Sequence, residues 1–391
     1  MMINKVLVLS VSAGDGHMRA AAAIKQEILR RNPQAAVIIL DTFRYASPLI
    51  EKVVLGTYME IIKMSPVIYG YLYRQAEKEK PISGFAKQEF NRIINRLAAP
   101  KLISLIEQMQ PQAIVCTHPF PLGILTHLRA GGKCDVPIVA AITDFTVHPF
   151  WLFDDVDCYL VAADALVKAF GNHGIAPGKI RATGIPIDPG FAVPKDRVVL
   201  RKQWNLDPKL PAILIMGGGL GMGPLGEVVK ELASAALPCQ MAVVCGRNKA
   251  LRIKLLKMLP DLPGRIQVLG YVNNIQDLMA ACDLMVGKAG GLTSSEAMAS
   301  GLPMFITDPI PGQEERNAEF LETMGAARLV RGQKDLIQQV KNYLQKPSLQ
   351  KLMTEAARSI GRPRSAAAAV TVLEELIEKY TTCSRRSMSK G

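Results

Sequence analysis

The chain has 391 residues, 49% hydrophobic and 21% charged, with a formal net charge of +13. It is too long for one ordinary core and too apolar for a disordered polymer, so two globular domains are expected. Its seven cysteines include no C-x-x-C pair and no short spacing to histidine, which excludes a cysteine zinc site and leaves reduced, buried thiols as the expectation.

The N-terminus, MMINKVLVLSVSAGDGH, carries one lysine and runs from a short apolar stretch straight into a glycine turn, the pattern of a first strand and not of a signal peptide. No run reaches the roughly 18 apolar residues of a spanning helix. The expected setting is therefore the cytoplasm, free or against a membrane. The basic excess is spread, +5 over residues 1–195 and +8 over 196–391. It suits anionic lipid, nucleic acid or nucleotide as well as plain solvation. Nucleic acid is set aside because the sequence shows no zinc finger, RNP-like aromatic motif or basic stripe along one helix.

In chain order, residues 5–11 form an apolar strand, Ser12 to His17 a turn, residues 18–31 a helix and residues 36–40 a second strand. This βαβ opening implies a parallel sheet. Residues 44–80 mix aromatics (Tyr58, Tyr69, Tyr71), aliphatics and cations (Lys52, Lys63, Arg74), a composition that fits either the lipid headgroup region or a packed core. Phe90, Ile93, Ile94 and Leu97 continue at helical spacing, more in keeping with core. Residues 137–142 form a strand that delivers Asp144 to its carboxyl end. Asp155-Val156-Asp157 has the look of a metal-binding D-x-D but abuts the strand at 158–162, and is discounted.

Residues 184–194, GIPIDPGFAVP, concentrate proline and glycine, placing a hinge around 189–196. The pattern restarts at 212–216, with glycines at 217–223, a helix near 225–236, and strands at 241–245, 266–269, 284–286 and 304–307. An amphipathic helix spans 366–380. The expected fold class is α/β, with two doubly wound Rossmann-like domains facing a cleft at the carboxyl ends of their strands. The boundaries are 1–192, 193–363 and a terminal helix with basic tail at 364–391.

The glycine loops point to phosphate. Backbone amides of Gly217, Gly218 and Gly219 can approach a diphosphate without a Cβ in the way. No acidic residue stands where an NAD site needs one, and neither loop ends in Gly-Lys-Ser/Thr, which excludes a Walker A motif. In VGKAGGLTSSEAMASGLPMFITDPIPGQEERN, residues 286–317, Gly290 and Gly291 make a turn, and Thr293 and Ser294 are expected to cap a helix carrying Glu296 in its first turn. The helix start favours an anion, Glu296 suits both hydroxyls of a ribose, and Gln313 and Glu314 suit sugar hydroxyls. An ordinary capping box has the same spacing.

His17 ends the SAGDGH loop. It is either a base that takes a proton from an acceptor hydroxyl or a residue packing at a helix start. Asp144 is expected to orient His17, to bind the acceptor hydroxyl, or to serve as a turn aspartate. His118, His148 and Trp151 occupy comparable strand ends on the acceptor side. All five histidines lie in the first half, so a histidine base makes the N-terminal domain the acceptor domain.

SAGDGHMRAAAAI, THPFP, TDFTVHPFW, GIPIDPGF and the donor unit GGLTSSEAMASGLP…PGQEERNA stand in an order that resembles the GT-B glycosyltransferases. The likeness is greatest to the processive diacylglycerol glucosyltransferase and monogalactosyldiacylglycerol synthase family, relatives of the peptidoglycan lipid-intermediate N-acetylglucosamine transferase. It implies a last helix returning to the first domain, His17 as base, a UDP-sugar donor and a diacylglycerol acceptor. It further implies hexose transfer with inversion, by a protein lying peripherally on the anionic inner face of the cell membrane, and diphosphate binding without a metal; between glucose and galactose, the short, transit-free N-terminus favours glucose. The alternatives are a UDP-N-acetylglucosamine enzyme of the same fold, either a transferase to a polyprenyl-linked acceptor or a 2-epimerase, and a non-catalytic UDP-sugar sensor.

Overall fold

The computed structural model describes residues 2–12, 15–46 and 98–388. These residues divide into two compact units. The first takes residues up to Pro189, Pro311–Gln313 and the chain from Arg364 onward; the second takes Gly190–Ile310 and Glu314–Pro363. The segment 47–97, with the mixed aromatic and basic stretch and the Phe90–Leu97 stripe, lies outside the described residues. The helical turns that follow, at 98–109, bury Leu102 and Ile106.

The first unit holds a parallel sheet of six strands: β1 (Lys5–Ser10), β2 (Ala36–Asp41), β3 (Ala113–Cys116), β4 (Ile138–Ala141), β5 (Cys158–Leu160) and β6 (Ile180–Arg181), ordered β2-β1-β3-β4-β5-β6. The second unit holds β7 (Ala212–Met216), β8 (Gln240–Val244), β9 (Arg265–Leu269), β10 (Leu284–Gly287), β11 (Met304–Thr307) and β12 (Ala327–Val330), ordered β12-β11-β10-β7-β8-β9. β3, β4, β7, β8, β10 and β11 are buried at every position. Continuous apolar runs of this kind belong to parallel sheets covered on both faces by helices.

Each sheet reverses its order once, between β1 and β3 in the first unit and between β7 and β10 in the second. At such a point successive crossovers leave in opposite directions and a crevice opens beyond the carboxyl ends of the strands. The chain places its unusual loops there. The run to His17 follows β1 and Thr117-His118 follows β3; Gly217 follows β7 and Lys288 follows β10. Pairing of Met216 with Gly287 sets those last two loops side by side.

The helix after β1 begins at Asp15, three residues before the expected start, so His17 lies inside its first turn. The closing helix runs Ser365–Met388 and belongs to the first unit. Its Ala369, Val370, Leu373 and Ile377 share a core with Val6, Val8, Ile24 and Ile28. Arg31 clamps it, one guanidinium nitrogen 2.6 Å from Glu374 and another 2.6 Å from the Ala367 carbonyl. Arg31 and Arg30 also converge on Glu27, buried beneath them, and the hydrogen bond from Arg30 is the main cause holding that carboxyl below the usual range. A buried carboxylate needs such partners, because leaving it unpaired is costly.

Candidate active site

In the first unit the site is built on His17. Its Nδ1 lies 2.8 Å from the Thr117 carbonyl oxygen and 3.0 Å from Thr143 Oγ1. A carbonyl can only accept, so Nδ1 carries the proton and donates it, which leaves the Nε2 lone pair as the basic position. Burial lowers the imidazole pKa to about 4, opposed by the Thr117 hydrogen bond, so the ring is neutral near pH 7. Thr117 is fixed in turn: its amide donates to the Leu9 carbonyl and its hydroxyl to Ser10 Oγ at 2.9 Å. The ends of β1, β3 and β4 thus hold one histidine in one tautomer.

Among the described residues, the hydrogen-bond partners of His17 are Thr117 and Thr143, and Asp144 is not one of them. Orienting the imidazole falls to a backbone carbonyl and a threonine hydroxyl instead. Asp144 lies buried three residues beyond β4. His118 packs edge-on against His17, ring centroids 4.6 Å apart, and its Nδ1 accepts from the Phe120 amide to cap the helix Pro119–Ala130. Its pKa is pushed well down by burial first and by His17 second. His148 makes the same cap on the short turn Pro149–Trp151, accepting from the Phe150 amide, and Trp151 is buried at the end of that turn. Asp157 of the D-x-D is committed to the fold: it accepts from Arg129 at 2.6 Å, from the Ile138 amide at 2.7 Å and from the Tyr380 hydroxyl.

In the second unit the glycine loop after β7 folds back on itself. A Cβ on Gly217 would fall 1.8 Å from the Met222 carbonyl oxygen. Gly221 combines φ of +61° with a Cβ position 2.0 Å from the Cys245 carbonyl, so no other residue fits there. Gly218 lies opposite Thr293, whose hydroxyl oxygen would be 3.9 Å from a Cβ.

The helix after β10 runs Gly291–Ala299, with Gly290 at the N-cap and no side-chain cap. Thr293 and Ser294 therefore do not cap it, and Glu296 falls in the second turn and not the first. The Ser294 amide already donates to the Gly290 carbonyl at 2.9 Å, so the helix is under way before the T-S-S-E run is reached. Its leading amides have no side-chain acceptor and favour an anion. A Cβ at Gly290 would meet nothing within 4 Å, and the residue has φ of −65°. The fold itself therefore does not require glycine at 290, and the lack of a side chain leaves the backbone there open to close approach. Gly290→Ala is expected to leave the melting temperature within a degree or two and to raise the KM for the donor; an unchanged KM would remove this glycine from the site.

Two residues of the 286–317 stretch to which no role is assigned from sequence, Lys288 and Asn317, complete this part. Lys288 is 9% exposed. Its stem passes Gly223, where a Cβ would stand 3.4 Å from Lys288 Cδ, and its Nζ lies 3.2 Å from Glu314 Oε2. That same oxygen accepts from the Ile310 amide at 2.8 Å. Glu314, expected on a sugar hydroxyl, is thus engaged inside the unit. Asn317, fully buried, donates to the Ala289 carbonyl at 3.0 Å and fixes the turn between Lys288 and Gly290. A lysine directly after a buried strand was the available signal for the first. Gln313 opens the helix Gln313–Thr323, and Glu296 is buried.

The family described as Monogalactosyldiacylglycerol (MGDG) synthase matches residues 17–187, and that described as Glycosyltransferase family 28 C-terminal domain matches residues 212–371. A processive diacylglycerol beta-glucosyltransferase of Bacillus pumilus is 30% identical over 381 residues, 96% of this chain and 95% of the relative. The chain belongs to the processive diacylglycerol β-glucosyltransferase family. A second member, from Bacillus thuringiensis, is 32% identical over 377 residues, 95% of this chain and 94% of its own. Among solved structures, MurG of Acinetobacter baumannii superposes with a TM-score of 0.60 at 18% identity, covering 95% of this chain and 99% of that one. UDP-GlcNAc 2-epimerase from Neisseria meningitidis, bound to UDP-GlcNAc, gives 0.59 at 13% identity, with 95% and 100% covered. At these identities the likeness speaks for the fold, and that fold is GT-B. The matched stretches begin at His17 and, in the second unit, at the first residue of β7, so both loop systems described above lie inside the family's own regions.

Proposed function

We propose that this chain transfers a hexose, glucose in the first place, from a UDP-sugar to the hydroxyl of diacylglycerol, giving a β-glycosyl diacylglycerol. The observation that carries the chemistry is the pinned tautomer of His17, a neutral imidazole with Nε2 as its free basic position. Its membership of a family whose relatives are named diacylglycerol beta-glucosyltransferases supports the acceptor and the sugar.

In this reading Nε2 takes the proton of the acceptor hydroxyl as its oxygen bonds to the anomeric carbon. The bond from that carbon to the diphosphate oxygen breaks on the opposite face, UDP departs, and configuration inverts. The amides of the Gly217 loop and of the helix start at Gly290 and Gly291, with the Lys288 ammonium, hold the leaving diphosphate. Thr293 flanks it, Glu296 takes the ribose, and Gln313 faces the hexose. Asp144, His118, His148 and Trp151 shape the acceptor side. Backbone amides and a lysine take the place a metal would fill. The protein works at a membrane surface; no helix of the described residues is long and apolar enough to cross one.

The test is purified protein with diacylglycerol dispersed in neutral detergent or in vesicles, UDP-glucose or UDP-galactose, with and without EDTA. The expected product is glycolipid, faster from UDP-glucose, at a rate EDTA leaves unchanged. Loss of activity in EDTA, restored by magnesium or manganese, would overturn the metal-free reading. UDP bound but never released would favour the sensor, and epimerised UDP-N-acetylglucosamine would favour the epimerase.

A further inference from the structure

From Leu232 to Pro260 the sequence contains no aspartate or glutamate, yet it holds five cations, all between Arg247 and Lys257. Four of them stand on the helix Lys249–Met258, which the sequence reading did not recognise as a basic stripe. The helix buries Leu255, and Leu251 and Leu259 pack against the core of the second unit. The opposite side is outermost along Lys249, Ile253 and Lys257, four residues apart each time, with Leu256 beside them. Lys249, Arg252, Lys254 and Lys257 are exposed, and among the described residues none has a carboxylate within ion-pair distance. Ile253 is 56% exposed and Leu256 43%. Next to this face Arg247 lies over the ring of Tyr271, 4.9 Å from its centroid, and Tyr271 is itself exposed.

A merely solvated basic helix has no use for two large aliphatic side chains pointing outward among its charges. A nucleic-acid backbone rewards the cations but not the aliphatics. An anionic bilayer rewards both: the ammonium and guanidinium groups meet lipid phosphates while isoleucine, leucine and tyrosine enter the headgroup boundary. We infer that the face of the helix Lys249–Met258, with Tyr271, is a docking surface for an anionic phospholipid bilayer, carried by the second unit. The inference rests on the reading that the acceptor resides in a bilayer. It goes beyond that reading in placing a membrane contact on the unit that carries the donor loops.

Two variants separate the contributions: Lys249→Glu/Lys254→Glu/Lys257→Glu, and Ile253→Ser/Leu256→Ser. Flotation is measured with vesicles of phosphatidylcholine alone and with phosphatidylglycerol added. Each cation near an anionic surface contributes roughly fivefold to binding, so the charge variant is expected to bind phosphatidylglycerol vesicles at least about tenfold more weakly. The serine variant is expected to bind several-fold more weakly at equal charge. Both should melt as wild type does and transfer sugar to detergent-dispersed diacylglycerol at its rate. Wild-type flotation by the charge variant overturns the surface, as does wild-type protein that ignores phosphatidylglycerol or binds duplex DNA as tightly as vesicles. Absence of transfer by the wild type in detergent overturns the acceptor reading instead, since flotation reads the surface without turnover.

Discussion

Replacing His17 by alanine is expected to lower turnover by about 100- to 10,000-fold, the usual worth of a positioned base, while UDP binds as before. The expectation follows from the Thr117 carbonyl, which fixes the proton on Nδ1 and leaves Nε2 to work. Thr143→Val, which removes the second Nδ1 partner, should cost much less, because the carbonyl alone still sets the tautomer. With the pKa lowered to about 4 by burial, the base is neutral throughout the range above that value. The rate should therefore stay level from neutral pH down to about 5 and fall as pH drops through about 4. The same shift bears on stability. The unfolded imidazole takes its proton near 6.5 and the folded one only near 4, so this contribution to stability is whole above pH 6.5 and is lost as pH falls from there toward 4. His118, lowered for the same first reason, acts in the same direction. Near-normal turnover by His17→Ala, or an acid limb centred at 6.5, would remove the histidine from the proposed role.

The repeating α/β architecture was legible because buried parallel strands are unbroken apolar runs between glycines and prolines. β7 and β11 fall on the residues read from the sequence. β6, two residues long, and β12, with Arg328 in its middle, lack that run and were not seen. The glycine loop after β7 was legible for a related reason. Gly217 and Gly221 stand where a Cβ would strike a carbonyl, a need that shows as glycine in any sequence. Partnerships were not legible. The carbonyl that orients His17 is 100 residues away and carries no side-chain signature, so the carboxylate of Asp144 was the natural candidate for its work. The helix after β10 shows the limit of local motifs. T-S-S-E has the spacing of a capping box, yet Gly290 starts the helix three residues earlier. Family resemblance compensated where local chemistry was ambiguous, because several motifs in one order constrain more than any one of them.

Lys288 is expected to matter most on the donor side. Lys288→Ala should raise the Kd for UDP and the KM for UDP-glucose by about 10- to 100-fold, corresponding to the roughly 1.5–3 kcal/mol of a hydrogen bond to a charged group. Lys288→Arg, which keeps the charge on a different fork, should recover part of that loss. Its ion pair with Glu314 makes the experiment sharper. Glu314 Oε2 is held at once by the Lys288 ammonium and the Ile310 amide, so this carboxylate positions the lysine from within its own unit. Glu314→Gln keeps an oxygen for the Ile310 amide but gives up the charge facing Lys288. If Glu314 acts only by holding Lys288, the variant raises KM for UDP-glucose and UDP-galactose by the same factor and weakens UDP itself equally. If the carboxylate instead leaves the lysine to bind the hexose, the ratio of kcat/KM for the two sugars changes while UDP binding does not. The largely covered pair and the doubly engaged oxygen favour the first result. Lys288→Ala binding UDP as wild type does, with an unchanged fold, would show that the diphosphate is held by the amides at Gly217 and Gly290 without it.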